Sequence, residues 1–428
     1  MPQPPRDAGH VLRPGTLTPP TPGLADVAVL IDAPPVARAD RTGQDHLAEA
    51  MRHTLDACVQ LGITGNAVLT VLRHARTPAQ AVAETHAARP ALLRPEGHAP
   101  PTDALPRPFT LLIRPGTTPD ATTLLRALAT FDNDETLAAV TGSAHRHDGA
   151  IETHVLPTAL HGGAALVRTE ALREAGGFSR LIPPGGAADL DLTCRLLRNG
   201  QRIQRFGDLN FDRPVWSAEY ADASAAAASL RDALIVHERY LPRRHRRVLR
   251  RDAIAHARMA AVTPGTEPHF ARATRDARRW AQWERKRGRA TLSARPLEAL
   301  LGWTGLRQRV ADFAASHGIR RVVLAGLHPH VAGFMHAARA AGLAVDAIAD
   351  DTHLLTDRPQ HRGVPILPID RAIRTGTEAV LISDLHPATT QRTAAAAAEH
   401  FAGPILFAPE MPNLPQIQAD STSATRAA

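Results

Sequence analysis

The sequence predicts an α/β protein with a mostly parallel sheet flanked by helices, a helical connector, and a second, smaller α/β domain. Three observations support this fold class. Short apolar runs of strand length alternate with helix-period segments near the N-terminus, the same alternation returns near the C-terminus, and the segment between them is helical and rich in arginine. The 428 residues fit two or three domains of roughly 100 to 200 residues each.

Composition divides the chain into five predicted segments. The two ends carry many proline or small polar residues and too few apolar ones to form a core, so both are expected to be disordered. The segments are a tail 1–23, a first domain 24–215, an arginine-rich helical connector 216–318, a second domain 319–410 and a tail 411–428.

The first domain opens with three strand and helix pairs. Alternation of this kind favours parallel strands with helices on both faces, and it places ligands at the carboxyl ends of the strands. The predicted strands are Val27–Asp32, Asn66–Leu72 and Phe109–Ile113, and the predicted helices are Asp45–Leu61, Pro78–Ala88 and Asp120–Phe131.

An acidic pair begins a later helix of this domain. A short strand, Ala164–Val167, and a helical turn ending at Gly176 precede a loop rich in proline and glycine. That loop leads to Asp189 and Asp191 at the start of a helix that ends near Asn199. A carboxylate at a helix N-terminus stays ionised, and by itself Asp189 could be a surface cap.

The order of these residues resembles the acceptor half of a family 2 glycosyltransferase with the GT-A fold. The residues that carry the resemblance are V-R-T-E-A-L-R-E-A-G-G-F from Val167 and A-D-L-D-L from Ala188. The resemblance implies that Asp189 is the general base that takes the proton of the acceptor hydroxyl. It also includes Asp191 among the catalytic candidates. The residues His161, Gly162 and Gly163 would shape the acceptor pocket.

Two strand ends depart from that family. Where the family carries an acidic turn after its second strand, this chain has Arg73 and His74, and where it carries a metal-binding acid after the third, this chain has Arg114. A diphosphate leaving group needs either a cation or fixed cationic side chains. Arg114, with Arg73 or His74, could therefore bind the donor diphosphate by bidentate contacts. A divalent cation, Mn²⁺ or Mg²⁺, stays open as an alternative, although its usual carboxylate ligands are missing.

Charged residues elsewhere suggest weaker sites. Basic residues number 50 and acidic residues 42, for a net charge of +8. The arginine cluster at 243–251 most simply forms a solvated helix face, with peripheral contact to an anionic membrane surface as the alternative. No aromatic residues interleave with it, which argues against nucleic acid. We expect Asp212 and Arg213 to be solvated surface charges, and Trp280 and Trp283 to cover the junction between domains.

The second domain resembles the small Rossmann-like domain attached to sugar-modifying enzymes of surface polysaccharide pathways. Its predicted strands are Arg320–Gly326, Ala344–Ala349 and Glu378–Ser383. Only Gly326 fits the glycine-rich turn that lets backbone approach a pyrophosphate, and Asp350 could accept from a ribose hydroxyl. We therefore treat Gly326 and Asp350 as a weak nucleotide site and expect no dinucleotide to bind.

Two functional hypotheses follow. In the first, the chain transfers a sugar from a nucleotide-sugar donor to a glycan or lipid-linked acceptor in surface polysaccharide or glycoconjugate synthesis. In the second, it is a catalytically inactive relic that acts as a binding or scaffold protein in the same pathway. Both cysteines, Cys58 and Cys194, fall in apolar helical segments, and no apolar run reaches the ~18 residues that span a bilayer, so a cytoplasmic protein with reduced thiols is expected.

Overall fold

The computed structural model describes most of the two α/β regions and parts of the connector. The described residues are 22–32, 41–64, 67–72, 78–86, 89–92, 105–132, 134–146, 151–152, 158–160, 164–179, 182, 187–213, 223–243, 245–246, 250, 253–254, 267–287, 290–327, 331–351, 360–373, 376–383, 387–407 and 414–415.

The first sheet has eight strands in the order β3-β2-β1-β4-β7-β5-β6, with β8 paired to β5. Strands β1 to β4 pair in parallel, β7 runs antiparallel between β4 and β5, and β8 is parallel to β5. The strands are β1 Val27–Asp32, β2 Val68–Leu72, β3 Arg89–Leu92, β4 Phe109–Ile113, β5 Leu137–Arg146, β6 Ile151–Glu152, β7 Ala165–Arg168 and β8 Arg202–Arg213.

Helices cover both faces of this sheet, and each face has its own apolar core. Along β1, Ala28 and Leu30 belong to one cluster while Val29 and Ile31 belong to the other. Successive strand residues point to opposite faces, so a run that is apolar throughout is a strand buried on both sides. The helices in this part of the chain are α1 Arg41–Gln60, α2 Pro78–Thr85, α3 Ala121–Asp132, α4 Thr169–Glu174 and α5 Ala188–Arg198.

The second sheet has six strands in the order β11-β12-β10-β9-β13-β14, and all of its pairings are parallel except β11 with β12. The fold class predicted from the sequence is therefore confirmed. The strands are β9 Arg321–Ala325, β10 Ala344–Ala349, β11 Gln360–His361, β12 Val364–Leu367, β13 Ala379–Ile382 and β14 Ile405–Leu406; the helices are α10 Val331–Ala340, α11 Ile369–Ala372 and α12 Pro387–His400.

In the described part of the chain between the last strand of the first sheet and the first strand of the second, the helices with defined bounds are α6 Ala223–Tyr240, α7 Glu267–Arg287, α8 Ala294–Leu301 and α9 Trp303–His317. Leu297 and Leu300 of α8 join a core cluster of the first sheet, whereas Val310 of α9 joins a cluster of the second. Gly302 separates these helices with φ of 62°, a left-handed conformation that favours glycine. Trp280 packs on the first-sheet cluster and stacks edge-on against Trp283 at 5.0 Å between ring centroids.

Both cysteines are buried free thiols, as predicted. Burial raises the pKa of Cys58 to about 12 and raises the pKa of Cys194 as well, because a thiolate loses its hydration in an apolar core. Among the helices that the structure describes, none combines the length and apolar character needed to cross a bilayer.

Leu414 and Pro415 differ from the expectation of a wholly disordered C-terminal tail. Leu414 is 2% exposed and belongs to a core cluster of the first sheet. Hydrogen bonds from Arg126 reach the backbone of both residues. The local composition is that of a disordered segment, but a surface made by distant parts of the chain supplies the apolar contacts that the segment itself lacks.

Candidate active site

Arg114 and Asp189 meet beyond the carboxyl end of β4. Arg114 follows β4 directly, and Asp189 lies in the first turn of α5. Arg114 Nη2 donates to Asp189 Oδ2 at 3.2 Å, and the two side chains are 6% and 7% exposed. Residues that the sequence assigned separately to donor binding and to base catalysis therefore form one buried ion pair.

The loop 114–118 is held by two elements, helix α1 and strand β8. Gly116 N–H donates to Thr54 Oγ1 of α1 at 2.8 Å, with the glycine at φ of 90°. Thr118 N–H donates to Asp212 O at 2.7 Å, and Arg213 Nε donates to Pro115 O at 3.2 Å, so β8 supports the same loop. Arg114 consequently projects from a loop whose backbone is fixed on both sides.

The backbone around Asp189 is fixed by a buried hydroxyl one turn later. Thr193 Oγ1 donates to Asp189 O at 2.7 Å and accepts from Leu160 N–H at 2.9 Å. The N-cap residue Ala187 offers no side chain to the free N–H groups of the helix. Asp189 and Asp191 in the first turn instead lie where the helix dipole favours negative charge.

Asp191 lies in a different environment from Asp189. It is fully buried, and Arg195 Nε donates to its Oδ2 at 2.9 Å. Arg239 Nη1 and the Tyr240 hydroxyl, both from α6, donate to its Oδ1 at 3.1 Å and 3.0 Å. Three donors on two helices therefore satisfy this carboxylate, as is typical of a buried structural charge. Its catalytic role stays a prediction.

The buried Asp191 carboxylate also affects the pKa of Tyr240. The pKa of Tyr240 is raised, first because the phenol is buried and next because the charge of Asp191 disfavours a phenolate. Sequence reasoning missed Arg195, Arg239 and Tyr240 as members of the site. Of these three residues, only Arg195 could have been recognised from the sequence, since Asp191 and Arg195 are four residues apart on one helix face.

The expectation of solvated charges at the end of β8 is wrong for Arg213. Asp212 is exposed, but Arg213 is 1% exposed and donates to a backbone carbonyl. Strand alternation explains the difference, because successive side chains of β8 point to opposite faces.

A divalent cation does not fit the described residues. Among them, no group of three His, Cys, Asp or Glu side chains could hold a metal ion. Where the resemblance implies a metal-binding carboxylate, the guanidinium of Arg114 lies against Asp189. A metal ion there would meet a like charge. The other predicted site residues of this region, Arg73, His74, His161, Gly162 and Gly163, lie outside the described residues.

The turn after β9 brings the weak second-sheet candidates together. Asp350 Oδ2 accepts from Leu327 N–H at 2.6 Å, and Gly326 has φ of 91°. Ser383, which sequence reasoning did not single out, is buried, and its hydroxyl donates to Ala325 O at 3.1 Å. Asp350 thus supports the turn by accepting a hydrogen bond from its backbone.

Comparisons with known proteins give a distant structural likeness. No protein-family model matches the chain, and no curated protein matches it. Among solved structures, it is similar to a crystal structure of GalNAc-T7 with UDP, GalNAc and Mn²⁺, at 8% identity and a TM-score of 0.36, over 58% of this chain and 56% of that one. The likeness thus spans little more than half of the GalNAc-T7 chain, and the activity of this chain does not follow from it.

Proposed function

We propose that this chain is a metal-independent, GT-A-like sugar transferase. It would move a sugar from a nucleotide-sugar donor to a glycan or lipid-linked acceptor, and it would do so in surface polysaccharide or glycoconjugate synthesis. The observation that carries the proposal is the Arg114–Asp189 pair at the carboxyl end of β4, a central strand that pairs in parallel with β1. Open α/β sheets bind their ligands at the carboxyl ends of their strands.

In the resting protein, the Arg114 guanidinium and the Asp189 carboxylate hold each other in place. A donor diphosphate carries more negative charge than one carboxylate and offers bidentate geometry, so it would compete for the Arg114 guanidinium. Asp189 would then be released toward the acceptor. The pair therefore holds together, before the donor binds, the two charged side chains that the reaction uses.

The reaction balances with these two side chains. The acceptor oxygen bonds to the anomeric carbon of the donor while the bond from that carbon to the diphosphate oxygen breaks, with inversion. Asp189 accepts the proton that the acceptor hydroxyl loses. Arg114 stabilises the charge that develops on the departing nucleoside diphosphate.

A second candidate function is a non-catalytic binding or scaffold protein. The burial of the pair favours it, since Arg114 and Asp189 are 5% exposed as whole residues. If Arg114 and Asp189 never separate, they form a structural ion pair, and Asp189 cannot act as the base of a transferase.

The test is a thermal-shift panel of nucleotide sugars, with Mn²⁺ or with EDTA, followed by transfer and hydrolysis assays with any donor that binds. The transferase hypothesis expects one donor class to raise Tm without metal, because a ligand that binds the folded state stabilises it. Asp189→Asn should keep that shift and abolish turnover, whereas Arg114→Lys, which replaces a bidentate fork by a point charge, should weaken the shift.

Other outcomes count against the transferase. No donor shift and no turnover across the panel would establish the scaffold hypothesis in its place. Normal turnover by Asp189→Asn would remove Asp189 as the base, and a donor shift that strictly requires Mn²⁺ would remove Arg114 as the substitute for the metal.

A further inference from the structure

A two-residue segment near the C-terminus is inserted between α3 and β8. Leu414 N–H donates to Asp208 Oδ1 of β8 at 2.7 Å, and Leu414 O accepts from Arg126 Nη2 of α3 at 2.8 Å. Arg126 Nε also donates to Pro415 O at 3.0 Å. The backbone of the segment is thus bound by one side chain from each element.

The contact is apolar as well as polar. Leu414 is 2% exposed and lies in the same core cluster as Leu124 of α3 and Phe211 of β8. Arg126 and Asp208 are themselves an ion pair, with side chains 18% and 30% exposed. The buried leucine and the partly covered ion pair together form a binding site for this segment, since the apolar contact supplies affinity and the two charged groups bind its backbone.

The two bridged elements are also those next to the candidate active site. Helix α3 begins shortly after the loop 114–118, and β8 accepts from Thr118 N–H through Asp212 O. Arg213 of β8 donates to Pro115 O of the same loop. Any change in the spacing of α3 and β8 would therefore move the backbone that carries Arg114.

We propose that Leu414 and Pro415 form a C-terminal strap, a segment of the chain that binds α3 and β8 together and thereby keeps the loop 114–118 in its observed conformation. The strap is also covalently continuous with the second sheet, whose last strand, β14, ends shortly before it. The proposal does not depend on sugar transfer, since it concerns the conformation of the loop alone.

Hydrogen–deuterium exchange on the full chain tests the strap. Wild-type protein should protect the Leu414 amide, in contrast to the free exchange of a disordered tail. Leu414→Asp puts a charge into an apolar site and should speed exchange both in the strap and in residues 114–118 by at least about tenfold. Phe407→Asp is the matched control, because Phe407 is 46% exposed and the same change there should leave both regions unaltered.

A milder variant guards against global unfolding. Leu414→Ala removes most of the apolar contact without adding a charge, and β2 of the first sheet should keep its protection in both variants. Rapid exchange at Leu414 in the wild type would overturn the strap. Release of the strap in Leu414→Ala with unchanged exchange at residues 114–118 would overturn its effect on the loop.

Discussion

The Tyr240 hydroxyl donates a hydrogen bond to Asp191 Oδ1 at 3.0 Å, although the two residues are 49 positions apart. Together with Arg239 it joins α6 to the N-terminal turn of α5, the helix that also carries Asp189. The candidate base is therefore supported by a buried charge network in which Asp191 is the central acceptor.

Asp191→Asn should be among the most destabilising substitutions in the chain. It removes the charge that compensates Arg195 and Arg239, whose side chains are 16% and 13% exposed, and loss of one partner of a buried ion pair costs about 3–5 kcal/mol. Tyr240→Phe is the matched control, since it removes one hydrogen bond and should cost about 1 kcal/mol. Urea denaturation measures both, and a smaller effect for Asp191→Asn than for Tyr240→Phe would contradict a structural role for this charge.

Arg114 and Asp189 should be energetically coupled. A double-mutant cycle with Arg114→Met and Asp189→Ala should give a coupling free energy above about 1 kcal/mol, because each single change leaves the other charge buried. The control cycle uses Arg321 and Asp346, a pair with side chains 60% and 30% exposed, for which coupling below about 1 kcal/mol is expected. Equal coupling in the two cycles would show that the candidate site pair is not buried in solution.

His237 should make the protein less stable as the pH falls. Burial lowers its pKa from 6.5 to about 4, so the unfolded chain binds a proton in this window that the folded chain does not. The free energy of unfolding should therefore decrease between pH 6.5 and about 4, by up to about 3 kcal/mol in total.

Stability measurements across that pH window check the contribution of His237. His237→Leu should flatten the pH dependence of the free energy of unfolding relative to the wild type. His400→Leu, at an exposed histidine of α12, is the matched substitution for comparison. A parallel pH profile for wild type and His237→Leu would mean that the histidine is hydrated in the folded state.

Gly142 and Gly305 should respond oppositely to alanine. A Cβ at Gly142 would lie 1.7 Å from Leu209 O of the neighbouring strand, whereas a Cβ at Gly305 meets nothing within 4 Å. Gly142→Ala should cost at least about 2 kcal/mol because the strands would have to separate. Gly305→Ala, inside α9, should gain about 0.5–1 kcal/mol from the higher helix propensity of alanine. Thermal denaturation measures both, and a neutral Gly142→Ala would show that β5 and β8 are less tightly apposed than described.

The helices and central strands could be predicted because their signals are local. The sequence predicts a helix from Leu190 to Arg198, and α5 spans Ala188–Arg198. Strand predictions for β1, β4 and β10 agree in the same way. By contrast, β5 and β8 were missed. Their pairing shifts register between Thr141 and Ser143, and such an irregularity breaks the alternation of apolar and polar residues by which a strand is recognised.

The sequence by itself determined the α/β class, the layered order of the elements and the position of Asp189 at a helix N-terminus, because hydrophobic period and helix-end chemistry act over a few residues. Only the tertiary structure decided the partners of the charged groups. Arg114 and Asp189 are 75 positions apart, and Asp191 is bound by α6 rather than left at the surface. Leu414 is buried in a segment whose composition predicts disorder. These contacts depend on which distant parts of the chain pack together. A buried charge or an isolated apolar residue is stable only where another part of the chain supplies its partner or its apolar contacts.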